Sequence, residues 1–187
     1  MSLYTLALFV HVTGAIGIFG SLGAMVFGAV ALRRVQRSEE VRFLTSLINI
    51  AGNVAAVCIV ILGIAGFYMA VTVWGVYAAW IIIATVSFVL LAPFGLLVID
   101  PLVRAISRQA RAALDGPLPE ELALRVQGPV LETFLSVYIA WLLGIVFLMT
   151  NKPGVSEAVV VMLIAGVVGL LASVPFWRCQ AKDLTRR

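Results

Sequence analysis

Charge is scarce in this sequence. Only 12% of its 187 residues are Asp, Glu, Lys or Arg, about half the share typical of a soluble domain. That shortage excludes a surface wetted on all sides. Histidine is scarcer still. His11 stands alone, so one chain cannot build a bis-histidine centre, and no CxxC, HxxxH or ExxH spacing supplies other metal ligands. There are two cysteines. Cys58 falls in the middle of an apolar run and Cys179 follows the last one, so a disulfide between them is not expected. Met25, Met69, Met149 and Cys58 are far apart in sequence, and methionine is a common core filler, so they do not read as a copper site. Also missing are a Walker A loop, GxSxG, HExxH, a dinucleotide-binding glycine fingerprint and a charged intramembrane ladder. No catalytic residue is assigned, and no cofactor is predicted from composition or spacing. There is no low-complexity tract and no convincing internal repeat.

Apolar text fills the space. Hydrophobic residues make up 63% of the chain, more than a soluble core of this length can hide, so lipid must be the solvent for much of it. Stretches free of Asp, Glu, Lys and Arg run over residues 1–32, 43–99, 133–151 and 158–177. A spanning helix needs about 20 apolar residues, so the second stretch holds two spans. Trp74-Gly75 is the natural break, since glycine punctuates helices and tryptophan favours the interface. The expected spans are 4–32, 45–73, 77–99, 129–150 and 156–177. Continuous runs of this length exclude spanning strands, which need only about 9–11 residues in strict alternation. The expected fold is all-α: a polytopic transmembrane bundle of about five spans forming a single domain over residues 1–187. The opening MSLYTLALFV lacks a basic n-region, and its apolar run outlasts an h-region, so it is read as a span rather than a cleaved signal.

The basic residues set an orientation. Arg33, Arg34, Arg37 and Arg42 follow span one; Arg104, Arg108, Arg111 and Arg125 follow span three; Arg178, Lys182, Arg186 and Arg187 follow span five. Only Lys152 falls in an alternate connection. The positive-inside rule places the first three groups in the cytoplasm, with the N-terminus outside and the C-terminus inside. Because the basic residues flank apolar segments, the net charge of +4 points to lipid headgroups rather than nucleic acid. The connection 101–128 reads as an amphipathic cytoplasmic segment. Leu102, Val103, Ile106 and Ala110 share one helical face, Arg104, Arg108 and Arg111 the other, and Asp115-Gly116-Pro117 reads as a turn. Such a helix is expected to lie at the headgroups, or to dock a soluble partner.

Span one carries Gly20, Ala24 and Gly28 at fourfold spacing, a small-residue ridge that lets another backbone approach, within the bundle or in a homo-oligomer. Pro93 and Pro175 fall inside spans three and five and are expected to disturb them. Polar groups at membrane depth each ask for an explanation. His11 reads as a helix-to-helix hydrogen bond, or as a haem, metal or proton-relay group. Asn49 and Asn53 share a face of span two and read as interhelical hydrogen bonds or a cavity lining. Glu132 opens span four beside Gly128-Pro129, where an acid complements the helix dipole. With Ser136 on its face and Asn53 nearby, it could instead line a polar pocket. Asp100 is expected to pair with Arg104 or another interfacial arginine, and Lys152 to be a snorkelling or turn residue at the outer surface.

The segments LYTLALFVHVTGAIGIFGSLGA and VFLMTNKPG resemble an uncharacterised bacterial family of predicted multi-pass integral membrane proteins. That resemblance implies the bacterial inner (plasma) membrane and assigns no activity. More distantly, a first-span histidine followed by small residues is similar to copper-resistance D-type proteins and membrane protoporphyrinogen oxidases. In that wider group the histidine is thought to hold haem or metal, and His11 is the matching position. The oxidase type also uses a basic residue in a later span, whereas residues 77–99 here contain no Lys or Arg.

Three functions fit. The first is a non-enzymatic accessory or structural bundle component, whose partners are the lipid bilayer and other membrane chains met through span one. The second is a small-solute or ion transporter with Asn49, Asn53, Glu132 and Ser136 around a cytoplasm-facing cavity. The third is a haem- or metal-bearing redox protein that uses His11.

Overall fold

In hydrocarbon every backbone N–H and C=O must be satisfied within its own segment, so uninterrupted apolar text folds as helix. The computed structural model describes the backbone of residues 2–184 and the side chains of residues 2–178; the side chains of Cys179, Lys182, Arg186 and Arg187 lie outside the described residues. The elements are α1 (Leu3–Leu32), α2 (Ser38–Met69), α3 (Ala79–Phe94), α4 (Asp100–Ala112), α5 (Glu120–Val126), α6 (Val130–Asn151) and α7 (Val155–Leu184). No strand occurs among the described residues. Among the described residues, five helical segments are long and apolar enough to cross a membrane.

Local chemistry sets the ends. The Ser2 hydroxyl accepts the Thr5 N–H at 3.2 Å and caps α1. Glu39 and Glu40 occupy the first turn of α2, where negative charge suits the helix dipole. A wide π turn, Ala70–Trp74, closes α2, and the chain turns at Gly75, whose φ of 76° suits glycine.

The connection after span three differs from the sequence expectation. Pro93 lies inside α3, a second π turn follows at Gly95–Ile99, and α4 continues directly from it. The result is one helical run from Ala79 to Ala112, not a span that ends at Asp100-Pro101. Pro101 falls in the first turn of α4, where its missing N–H breaks little, so it does not stop the helix. Val103, Ile106 and Ala110 are buried, and α4 packs on α2. The amphipathic stripe therefore finds protein. Arg104, Arg108 and Arg111 occupy the exposed side. The turn beyond α4 is stapled to the α1–α2 connection. Ser38 N–H donates to the Gly116 carbonyl at 3.1 Å, Leu118 N–H donates to the Gln36 carbonyl at 2.9 Å, and Arg42 pairs with Asp115.

α1 and α2 form the most extensive packing pair, and α6 and α7 form a second antiparallel pair; α6 also touches α1 and α3. Glycine makes both seams close. A Cβ at Gly28 would lie 2.7 Å from Ile48 Cγ1, and one at Gly169 would lie 2.6 Å from the Val137 Cα. Lipid gives helices little hydrophobic drive to associate, so this close contact supplies it. Ile18, Leu32, Ile48, Val103, Leu135 and Leu148 are the largest of the best-buried side chains, spread along the depth of the bundle. Between 17 and 39% of each apolar window is buried inside the protein, so every span also keeps a face for lipid.

Candidate functional site

His11 lies on the face of α1 that meets α2. Its Nδ1 is 3.0 Å from the Leu62 carbonyl. A carbonyl only accepts, so Nδ1–H donates, and in the neutral ring Nε2 keeps the lone pair. The ring has room because Gly66 has no side chain: a Cβ there would lie 3.0 Å from His11 Cε1. Among the described residues no group of three His, Cys, Asp or Glu is placed to hold a metal ion.

Glu132 takes part in a different arrangement, at the arginine-bearing end. α1 stops at Leu32 and α6 starts at Val130, and the two ends meet. Arg33 Nη1 lies 3.6 Å from Glu132 Oε1, with the two side chains 13% and 4% exposed. At that distance the contact is Coulombic rather than a good hydrogen bond. Arg33 Nη2 also donates to the Phe176 carbonyl at 3.4 Å, and its guanidinium carbon sits 5.7 Å from the Phe176 ring centroid. Beside it, Trp177 Nε1 donates to Thr133 Oγ1 at 2.9 Å, while the Thr133 hydroxyl donates to the Pro129 carbonyl at 2.7 Å. Three helices, α1, α6 and α7, are thus tied at one point. Arg33 Nη1 and Glu132 Oε2 are buried without a hydrogen-bond partner.

The other sequence candidates do not join this point. Asn49 is half-buried and Asn53 exposed on α2. No hydrogen bond among the described residues links either to Glu132 or Ser136, and the partner of Glu132 comes from α1. Ser136 is half-buried, and its backbone carbonyl faces Gly169 across the α6–α7 seam. Gly20 and Ala24 are exposed, and a Cβ at Gly20 would meet nothing within 4 Å. Gly28 is the member of that ridge set against α2. Two open surface depressions, of about 420 and 590 Å³, lie at opposite ends of the molecule. Neither is lined by His11, Asn49, Asn53, Glu132 or Ser136.

Sequence reasoning used Arg33 only to orient the chain and did not single out Thr133 or Trp177. The missed signal was depth. Arg33 ends one span and Glu132 opens another on the same side, so both lie in one layer. Asp100 does meet Arg104, at 2.8 Å one helical turn away.

A family model described as "Predicted integral membrane protein (DUF2269)" matches residues 5–153, a stretch that includes His11 and Glu132. No curated protein and no solved structure matches the chain. With five apolar helices on the page and most of its length matched, the chain belongs to the DUF2269 family of predicted integral membrane proteins.

Proposed function

We propose that this chain is a non-catalytic component of a membrane assembly, set in a bacterial inner membrane with its N-terminus outside and its arginines in the cytoplasm. One observation carries the reading: His11 and Glu132, the two titratable side chains singled out as candidates, both serve as fasteners between helices of this chain. The unfilled ridge at Gly20 and Ala24 supports span one as the contact to another chain, a second copy included. The orientation rests on the nine described arginines, all of which flank the connections at one end. The test is the mass of the complex extracted in native nanodiscs. A Gly20→Ile, Ala24→Ile chain keeps its helical content but loses its partner. If the wild type is monomeric and alone, the reading fails.

A second reading is favoured by the His11 geometry. An Nδ1–H held by a backbone carbonyl leaves Nε2 free as in a metal-ligating imidazole, so His11 would be the residue to hold a haem or metal ion, with His11 of a second copy as the other ligand. A Soret band in gently purified protein that His11→Ala weakens supports it; a colourless, metal-free preparation removes it.

A further inference from the structure

At the end opposite the arginines, side chains from two separate connections converge. Trp74 closes α2 and Trp80 opens α3, and their rings meet edge-on, with centroids 5.8 Å apart and planes at 78°. The two indoles form an L-shaped corner, and a cation fills it. Lys152 Nζ lies 3.7 Å from the Trp74 centroid and 5.9 Å from that of Trp80. The backbone aims the side chain there. Lys152 ends α6 in the left-handed conformation, φ 50°, with its N–H donating to the Leu148 carbonyl at 2.9 Å. No carboxylate among the described residues pairs with Lys152. The nearest acid in sequence, Glu157, accepts the Gly154 N–H at 3.3 Å instead. The ammonium therefore rests on π faces, whose negative quadrupole attracts cations. The corner is also accessible: Trp74 is 44% exposed, and Lys152 is an exposed side chain on a flexible stem. Tryptophans at a span end lie at headgroup depth.

We propose that Trp74 and Trp80 form a binding site for an alkylammonium group, the cation carried by zwitterionic lipid headgroups, and that Lys152 is a built-in occupant competing for it. A lysine ammonium is small and strongly hydrated. A methylated ammonium is less hydrated and matches an aromatic corner better. Displacing Lys152 returns its charge to water and leaves both rings to the incoming cation. The site is independent of His11 and of the oligomer reading.

The test uses the full chain labelled with 5-fluorotryptophan in nanodiscs, with the Trp74 resonance assigned by Trp74→Phe. In Lys152→Met, tetramethylammonium shifts the Trp74 and Trp80 signals saturably, at about tenfold lower concentration than in the wild type. Trp141 and Trp177 stay still. Lys152→Gln, which keeps a polar end, gives the same ordering. In Lys152→Met, a phosphatidylcholine disc that shifts both signals relative to a phosphatidylglycerol disc, before any cation is added, identifies a lipid headgroup as the source. A response to tetramethylammonium without a lipid difference identifies a free cation. Either response supports the site. Equal midpoints in wild type and both variants, or shifts spread evenly over all four tryptophans, overturn it.

Discussion

Replacing Glu132 by leucine removes the countercharge of an arginine that is only 13% exposed. Arg33 then keeps one carbonyl, that of Phe176 at 3.4 Å, and the face of one ring. Breaking a buried pair from one side costs about 3–5 kcal/mol, because the remaining charge stays desolvated. The reverse change is milder. Arg33→Met leaves a carboxyl that can take up a proton and shed its charge, so the loss falls to about 1–3 kcal/mol, the cost of an unsatisfied buried polar group. The double variant Arg33→Met, Glu132→Leu puts apolar volume on both sides and returns to within about 1 kcal/mol of the wild type. The three measurements therefore do not add, and the coupling is roughly 3–9 kcal/mol, the two single losses less whatever the double variant still loses. Equilibrium unfolding in mixed micelles, followed by helical circular dichroism, reads all four corners of the cycle. Losses that simply sum would show that the two side chains stabilise the bundle separately, and the tie between α1, α6 and α7 would be refuted.

Glycine positions give a second contrast. Gly169→Ala drives a methyl to 2.6 Å from the Val137 backbone and should cost about 1–3 kcal/mol by overpacking. Gly20→Ala meets nothing within 4 Å and should change stability by less than about 0.5 kcal/mol, measured in the same unfolding assay. His11→Ala should lose about 0.6–1.7 kcal/mol, the range for one interhelical hydrogen bond in a membrane; no loss would mean that the Leu62 contact fastens nothing. Single cysteines placed at Arg108 and Ser156, in a chain lacking Cys58 and Cys179, should react with an impermeant thiol reagent only from the cytoplasmic and only from the outer side of intact cells, respectively. The reverse pattern would invert the proposed orientation.

The architecture was legible because its cause is local. A segment with no charge over twenty residues has one stable state in lipid, and both the count of spans and the break at Trp74-Gly75 follow from reading along the chain. The pairing of Asp100 with Arg104 was legible for the same reason, since one helical turn brings the two together. The fate of Pro101 was not. Whether a proline ends a helix depends on the hydrogen-bond register it meets, and the π turn at Gly95–Ile99 supplied a register that admits it.

The candidate site divides in the same way. Glu132 and His11 stand out in the text as polar groups in apolar surroundings, but their partners, Arg33 and the Leu62 carbonyl, lie 99 and 51 positions away. Those pairings depend on which helix neighbours which. The apolar faces of spanning helices are nearly interchangeable to lipid, so hydropathy does not rank one neighbour above another. Packing shape does. Gly28 against Ile48 and Gly169 against Val137 let particular backbones approach, and those approaches carry Arg33 to Glu132 while leaving Gly20, Ala24 and Asn53 on the outside.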